Sequence, residues 1–576
     1  MDLLERDLQL KALRSALNEA GHEGRVAFVY GEAGIGKTAL VEHFIKENEK
    51  SWRILHGACD SFFTPRPLGP LYDIALQTER DLSAFLESES NRGRLFSACL
   101  SELQTQKTIL VIEDIHWADE ATLDLLKYLG RRIRQTKALL ILTYRDDEIG
   151  TDHPLRLLLG DLASTHALHR ISVSLLSKNA VQKLANHKNV DSLQLHRLTN
   201  GNPFFITEVL AAESGIPETV RDAVLARAAR LSPSARALLE AAAVIGSRLE
   251  AWLLSEIVGA DIVSVEECIA RGLLQLQGDY YTFRHELSRQ TILESISSQR
   301  KITLHRKTLN ALQESSVTRE SMTRLAHHAE AINDPDAVLE FAPLAAWWAS
   351  TTSSHREAVA LYELALRFAK SLPPANHAQM LEAYMVELEF MNRFSDEIEA
   401  CQSAIALWHS IGNRLREGKN LATLAGLCMN VGRKSETEKS IERAITILED
   451  LSPSAELAQA YTEQCYIKMM YRDCEEAITW GEKATTLAER FDDFDALARA
   501  YDYMGCAALI IDYDRGLKLL ERSLVIAREK KLPFAVGGTL GNLGGMLLEV
   551  RQVTLANQYL AESIDYATQQ DNDYHL

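Results

Sequence analysis

The eight residues Gly31–Thr38, which read GEAGIGKT, have the types and spacing of a loop that binds phosphate groups. Glycines let successive backbone N–H groups converge on phosphate oxygens, and the N-terminus of a following helix adds partial positive charge. In such a loop Lys37 is expected to reach the β- and γ-phosphates, and the Thr38 hydroxyl is expected to ligate Mg²⁺. The predicted nucleotide contacts are Gly31, Gly34, Gly36, Lys37, Thr38 and Ala39.

The elements around this loop follow the order that a phosphate site requires. Val26–Tyr30 is a short apolar run rich in strand formers, and the residues from Ala39 to Glu42 have a helical pattern. Strand, glycine-rich loop and helix in this order indicate a P-loop that binds ATP or ADP. The alternative is a glycine turn before a helix.

An acidic pair follows a later apolar run. Thr108–Ile112 has the pattern of a strand buried on both faces of a parallel sheet, and it leads into Glu113 and Asp114. An acidic pair at the end of a central strand is where P-loop proteins hold Mg²⁺ and orient the attacking water. We assign Glu113 to the metal, together with Thr38, and Asp114 to the water; these two roles could be exchanged. The alternative is that both carboxylates cap the following helix.

A third apolar run, Ala138–Tyr144, ends beside Arg145. A cation at the end of a strand in the same sheet could sense the γ-phosphate and change its contacts on hydrolysis. We therefore count Arg145 as a predicted catalytic residue beside Glu113 and Asp114. The alternative is an arginine on the protein surface.

The composition of the 576-residue chain argues against several classes of function. A formal net charge of −18 leaves no overall positive field that would favour nucleic acid or anionic lipid. The eight cysteines are scattered without a metal-binding spacing, which is typical of reduced thiols. A charged N-terminus, and no apolar run of about 18 residues, predict a cytoplasmic protein without membrane contact.

Several motifs carry a resemblance to a known family. They are Glu113–Asp119, Thr143–Arg145 and Gly201–Phe205. Together they resemble the STAND branch of AAA-related signalling ATPases, and more narrowly the large ATP-binding LuxR-type transcriptional regulators of bacteria, including the maltose-regulator-like group. Further stretches that agree are Leu4–Arg6, Phe63–Leu71, Ile216–Arg221 and Phe283–Leu287.

The resemblance implies additional nucleotide contacts. In this family a Gly-x-Pro element packs against adenine, which assigns Pro203 to the base. The N-terminal Glu-Arg segment lies close to the nucleotide, which adds Arg6. A winged-helix histidine contacts the ADP phosphates in the closed state, and His285 matches it. The sequence Arg284-His285-Glu286 departs from the better-known Met-His-Asp form, so a plain histidine at a helix start is the alternative.

From about Thr323 the chain is repetitive. Small residues recur at intervals of about 40 positions, and an apolar or aromatic residue stands three positions after each of them. A fixed period of this length with paired helices predicts an α-solenoid, which resembles the longer TPR-like repeats of these regulators. The small residues are Ala365, Ala404, Ala444, Ala484, Ser523 and Ser563.

The predicted fold class is multidomain α/β plus α. Residues 1–165 are assigned to an AAA-like P-loop NTPase domain with a parallel sheet, 166–217 to a helical domain and 218–322 to a winged-helix domain. Residues 323–576 are assigned to TPR-like helical repeats. We expect these repeats to be incomplete at the C-terminus, because no polar cap follows the sixth small residue.

The predicted function is an ATP-dependent signalling switch with slow hydrolysis. ADP would hold the domains closed, whereas ATP and an inducer, a small molecule or protein on the solenoid, would open them and drive self-association. The resemblance places promoter DNA on a C-terminal helix-turn-helix that no segment here shows. Alternatives are a STAND ATPase with a separate or fused enzymatic effector, and a scaffold or defence sensor that recruits proteins. A metabolic ATPase is a more distant alternative.

Overall fold

The computed structural model describes residues 3–59, 65, 67–78, 92–163, 167–186, 191–211, 220–246, 248–259, 261–277, 280–315 and 318–570. Parts of the motif stretches Phe63–Leu71 and Ile216–Arg221, and the C-terminal residues after position 570, lie outside these ranges. The predictions made on them lie outside the described residues as well. The chain divides into two compact units, Met1–Leu364 and Ala365–Leu576.

A five-stranded parallel sheet lies at the start of the first unit, with strand order β2-β3-β4-β1-β5. β3 and β4 are buried along their whole length, which explains their unbroken apolar sequences. Because the strands are parallel, the residues that follow β1, β3 and β4 meet at one edge of the sheet. The strands are β1 (Arg25–Tyr30), β2 (Arg53–Ala58), β3 (Thr108–Glu113), β4 (Ala138–Tyr144) and β5 (Leu168–Ser172).

Helices cover both faces of this sheet. Alternate strand residues point to opposite faces, so Val29 packs with α1 and α2 while Phe28 packs with the helices on the other face. α1 is Asp7–Ala20 and α2 is Lys37–Asn48. The opposite face holds α3 (Gly69–Ala75), α4 (Arg92–Thr105), α5 (Glu120–Arg132) and α6 (Leu155–Ala163).

Two helical segments follow the sheet. The first contains α7 (Lys178–Ala185), α8 (Ser192–Thr199) and α9 (Pro203–Ala211). The second, residues 220–314, is called the hairpin segment below because it contains the antiparallel pair β6 (Leu274–Gln277) and β7 (Tyr280–Phe283). Its helices are α10 (Val220–Ala229), α11 (Pro233–Ile245), α12 (Ala251–Val258), α13 (Ile262–Ala270), α14 (Glu286–Ser295) and α15 (Ser298–Glu314).

A long TPR-like helical region follows, and it confirms the predicted repeats. Its first helices are α16 (Arg319–Ala331), α17 (Pro335–Thr351) and α18 (His355–Phe368). The second unit continues with α19 (Pro374–Phe390), α20 (Phe394–Ser410), α21 (Arg414–Asn430), α22 (Lys434–Glu449), α23 (Ala455–Met470), α24 (Cys474–Arg490), α25 (Phe494–Ile511), α26 (Tyr513–Glu529), α27 (Pro533–Glu549) and α28 (Val553–Gln570). Within the described ranges, no helix has both the length and the apolar character needed to cross a bilayer.

The periodic small residues lie on the buried faces of their helices. All six are buried, and Ala404, Ala444 and Ala484 are fully inaccessible to solvent. The residue three positions later is half-buried in each repeat, as at Leu407. The residue four positions later is buried in the first five repeats, as at Trp408. The buried stripe therefore consists of the small residue and its i+4 neighbour.

Candidate nucleotide site

The loop between β1 and α2 turns on glycines with positive φ. Gly34 (φ 74°) and Gly36 (φ 95°) lie in the left-handed region, which other residues rarely adopt. A Cβ at Gly34 would lie 2.7 Å from Cβ of Phe204, so this position also requires the absence of a side chain. A Cβ at Gly36, immediately before α2, would meet no atom within 4 Å. The loop is therefore packed on the Phe204 side and open in front of α2.

Lys37 is the first residue of α2, and its side chain reaches back to the loop. Its Nζ donates to the carbonyl oxygens of Gly31 at 2.7 Å and Glu32 at 3.0 Å. Burial lowers the pKa of the Lys37 ammonium, and the carboxylate of Asp114 opposes this shift. The positive charge is thus held at the loop, where a P-loop carries the β- and γ-phosphates.

Thr38 and Glu113 bring two oxygen ligands together. Oγ1 of Thr38 donates to Oε2 of Glu113 at 2.9 Å. Oε1 of Glu113 is buried and makes no hydrogen bond to any described residue, although Nε2 of His56 lies 3.5 Å away. Magnesium prefers oxygen ligands and is bound through one or two such groups together with phosphate oxygens. These two residues therefore fit a Mg²⁺ ion.

His56 is a basic residue of this site that the sequence analysis did not single out. It lies on β2, beside the end of β3. Burial alone lowers the pKa of His56, but the carboxylates of Glu113, Asp73 and Glu42 raise it overall. His56 therefore adds partial positive charge next to the acidic pair.

Asp114 occupies a left-handed turn immediately after β3. Its φ is 55°, and its backbone N–H donates to Oγ1 of Thr143 on β4 at 2.9 Å. Burial, and then the neighbouring Glu113, raise the pKa of the Asp114 carboxyl to about 6, while Arg145 and Lys37 oppose the shift. A carboxyl group with a pKa near the working pH suits proton transfer from a water molecule.

Arg145 follows β4 and lies on the same edge of the sheet. It is only 6% exposed, so the alternative of a surface arginine is wrong. Its guanidinium forms an ion pair with Glu148 and lies 4.5 Å from the ring centroid of Trp117. A phosphate group could replace Glu148 as the anionic partner of this arginine.

Three donors that lie outside the P-loop form hydrogen bonds with successive carbonyl groups of the loop. They are Nδ2 of Asn202, the backbone N–H of Phe204 and Nη2 of Arg6. The acceptor distances are 2.9 Å to Ala33, 3.2 Å to Gly34 and 3.1 Å to Ile35. The Arg6 side chain is buried there, and burial lowers the pKa of its guanidinium. The loop conformation therefore depends on residues far from it in sequence.

Pro203 begins α9 beside these contacts. Of the described residues that line the cavity at the loop, none is Pro203, Arg6 or Gly31. Gly31 instead supplies a carbonyl to Lys37, and Arg6 supplies a donor to the loop. The packing of Pro203 against adenine stays a prediction.

The P-loop and the hairpin segment together enclose a cavity of about 370 Å³. This volume falls within the roughly 300–1,000 Å³ that is usual for ligand sites. The sheet side is lined by Gly34, Gly36, Lys37, Thr38, Ala39, Glu113, Asp114 and Arg145. The hairpin side is lined by Gln275, Gln277, Tyr280, Thr282, Arg284, His285 and Glu286. A ligand in this cavity would therefore touch both parts of the first unit.

His285 immediately precedes α14 and lines the cavity. Its ring centroid lies 4.5 Å from that of Phe204, the residue whose N–H binds the P-loop. Burial, and then the charges of Arg284 and Arg227, lower the pKa of His285 to about 3, so the imidazole is neutral at pH 7. A neutral imidazole can donate one hydrogen bond to a phosphate oxygen. The predicted contact of His285 with phosphate stays a prediction.

Among the described residues, one ion pair connects the hairpin segment to α3 and another connects it to α9. Nη1 of Arg248 lies 3.2 Å from Oδ1 of Asp73 on α3, and the Arg248 guanidinium lies 4.7 Å from the ring centroid of Tyr280. Nη2 of Arg227 lies 3.0 Å from Oε2 of Glu208 on α9, and both side chains are buried. These pairs hold the hairpin segment against the cavity.

Residues 2–142 match the family model of the AAA ATPase domain. This segment is a P-loop AAA domain. The match covers strands β1 to β3 and most of β4, together with the loop that the geometry identifies as the phosphate site. Binding of nucleotide by this domain follows from the match.

Other comparisons return more distant relatives. An uncharacterized protein of Rhizobium meliloti is 24% identical over 340 residues, which cover 53% of this chain and 32% of that protein. The match thus spans about a third of the length of this curated relative.

One similar solved structure is a Signal Transduction ATPase with Numerous Domains (STAND) protein from Pyrococcus horikoshii, which has a tetratricopeptide repeat sensor. It is 16% identical, with a TM-score of 0.45, and the match covers 99% of this chain and 84% of that chain. CDC6P from Pyrobaculum aerophilum is 13% identical with a TM-score of 0.29, covering 54% and 96%. The fold of the chain follows from the strand order and helices described above.

Proposed function

We propose that this chain is a STAND-type signalling switch in which the nucleotide on the AAA domain controls closure of the hairpin segment. The observation that carries the proposal is the shared cavity, since Lys37 and Thr38 on one side face Arg284 and His285 on the other. A ligand can shift a conformational equilibrium only through different interactions with the two conformations. A nucleotide that touches both walls of the cavity interacts differently with the open and closed conformations, because opening the hairpin segment removes its contacts with that wall.

The residues of the AAA domain take the following roles in this switch. Lys37 and the loop N–H groups bind phosphate oxygens. Thr38 and Glu113 would hold a Mg²⁺ ion, which would supply positive charge to the phosphates. Asp114, with a pKa of about 6, is mostly ionised at pH 7 and orients the attacking water. Arg145 exchanges Glu148 for the γ-phosphate and returns after hydrolysis. Turnover is slow because it resets the switch.

A finer assignment is the sensor portion of a LuxR-type transcriptional regulator. ADP keeps the first unit closed, and ATP with an inducer on the helical repeats opens it and drives self-association. In this assignment a helix-turn-helix domain of the regulator would bind promoter DNA. The support for this finer assignment is the motif resemblance, above all Glu113–Asp119 and Gly201–Phe205.

The test is the rate at which ADP leaves the full chain. Arg248→Ala and Asp73→Ala each break the same ion pair by removing a different partner. The double variant removes both partners but breaks this ion pair only once. If the hairpin segment closes over ADP, each single variant should release a fluorescent ADP analogue roughly 5- to 30-fold faster. That range corresponds to about 1–2 kcal/mol for a half-buried ion pair, and Arg248→Ala should lie at its upper end because it also removes the cation–π contact with Tyr280.

The double variant separates closure from direct contact with the ligand. Its rate should match that of the faster single variant, because the two changes share one interaction. The control is Arg221→Ala, which removes an exposed ion pair with Glu294 in the same segment and should leave the rate unchanged. Unchanged release in both single variants, or fully multiplicative effects in the double variant, would refute closure through this pair. Rapid ATP turnover without any added ligand would favour a metabolic ATPase instead.

A further inference from the structure

Three histidines converge outside the nucleotide cavity, where α15 meets α16. His305 lies on α15, and His327 and His328 are adjacent on α16. Their ring centroids are 5.1 to 5.8 Å apart. One nitrogen from each residue lies within 4.8 Å of the nitrogens of the other two. Nδ1 of His305 lies 2.8 Å from Nδ1 of His328.

Each of the three imidazoles offers a lone pair. A neutral imidazole ring has one nitrogen that carries a lone pair and can bind a cation. His328 is completely inaccessible to solvent, and its Nδ1 faces Nδ1 of His305. Such a cluster has the electronic character of a metal site.

The nearby charges do not prevent binding of a cation. Lys301, Arg289 and Arg324 are the positive groups that act on the cluster, and Glu330 is the negative one. Arg324 forms a two-bond ion pair with Glu250, at 2.7 and 3.1 Å. Arg289 is paired with Glu286 at 2.6 Å. These carboxylates neutralise much of the positive charge.

We propose that His305, His327 and His328 bind a divalent transition-metal ion, of which zinc best suits the site. Imidazole nitrogen is a preferred ligand of zinc, and three histidines leave a fourth position open for water. Two imidazole nitrogens on a tetrahedral zinc, each about 2.0–2.1 Å from the ion, lie roughly 3.3 Å apart. The 2.8 Å separation of His305 and His328 therefore needs only a small rotation of the rings. The ion would link α15, the last helix of the hairpin segment, to α16, the first helix of the repeats.

The test measures zinc bound to the full chain, purified without a histidine tag and stripped with a chelator. After zinc is added and excess metal removed, wild type should retain one equivalent by mass spectrometry. His305→Asn should lower the zinc affinity by at least roughly 100-fold, because it removes a direct ligand. His22→Asn is the matched control, since His22 is an exposed histidine of the same unit and should leave zinc binding unchanged.

Two further measurements distinguish a metal site from a packed histidine cluster. Zinc should raise the melting temperature of wild type and His22→Asn but not of His305→Asn. Cobalt should give the visible absorption of a tetrahedral site in wild type and His22→Asn but not in His305→Asn. His305→Asn should still bind ADP, which shows that it folds. The proposal is overturned if stripped wild type retains no zinc, or if His305→Asn retains as much as wild type.

Discussion

Lys37→Ala is expected to remove most of the affinity of the chain for ADP and ATP. In the structure the Lys37 Nζ donates to two loop carbonyls, at 2.7 and 3.0 Å, and phosphate oxygens would take over these donors. Hydrogen bonds to charged groups contribute about 1.5–3 kcal/mol each. Allowing for the carbonyl contacts that are given up, we expect a loss of about 2–4 kcal/mol. This corresponds to a dissociation constant that is roughly 30- to 700-fold larger.

The same substitution should not unfold the protein. Burial lowers the pKa of Lys37, which means that the folded state disfavours its positive charge. At neutral pH the charge is present in both the folded and unfolded states, so its removal relieves a cost of folding. Lys37→Ala should therefore melt at or above the wild-type temperature, and lost binding cannot be ascribed to lost structure.

The assay is a titration of the full chain with a fluorescent ADP analogue, repeated with unlabelled ADP and ATP in competition. Lys46→Ala is the matched control, because Lys46 is exposed in the last turn of the same helix. It should bind as wild type does. If Lys37→Ala binds ADP within about three-fold of wild type, corresponding to under 1 kcal/mol, the assignment of the P-loop is wrong.

Three other predictions concern catalysis, pH and packing. Asp114→Asn should bind ATP but hydrolyse it at least roughly 100-fold more slowly. Wild-type turnover should fall as the pH drops through about 6, the pKa of Asp114. The rate of phosphate release, measured across this pH range, checks both predictions. Burial and the neighbouring Asp119 raise the pKa of Glu357, so the folded chain binds this proton more tightly and loses stability as the pH rises. Glu357→Gln should therefore gain stability relative to wild type at alkaline pH in urea denaturation. Ala444→Leu should overpack a fully buried position and cost about 1–3 kcal/mol by the same assay, whereas Lys439→Leu, at an exposed position, should have little effect.

The parts of the fold that could be predicted are those with a contiguous signal. β3 and β4 are buried throughout, so their sequences are unbroken apolar runs. β5, which reads LHRIS, is mostly half-buried or exposed, and its sequence carries no such run. It lies at the edge of the sheet and pairs only with β1 among the described strands. For this reason the predicted end of the ATPase domain, at residue 165, precedes a strand that belongs to the sheet.

The same distinction applies to the candidate site. Gly31–Thr38 and Glu113–Asp114 are each contiguous in sequence, so the residue types and spacing within each segment predict its chemistry. The Arg248–Asp73 pair joins positions 175 residues apart, and Asn202 binds a carbonyl 169 residues away. No local pattern encodes these distances. They depend on the tertiary arrangement of the hairpin segment and the α9 region around the AAA domain.

The pKa of Asp114 links the chemistry of this site to closure of the hairpin segment. Burial is the main cause of its raised value, and Glu286, which lines the hairpin side of the cavity, adds to the shift. In the proposed switch, opening the segment would hydrate Asp114 and remove Glu286, and both changes lower the pKa of the carboxyl. The closed state therefore binds this proton more tightly, and closure near pH 6 should take up a fraction of a proton from solution. Proton uptake measured on ADP binding, in two weakly buffered solutions, would reveal this. Asp114 is accordingly more fully ionised, and better able to orient water, when the segment is open. Closure over ADP and readiness for hydrolysis thus oppose each other through a single carboxyl group.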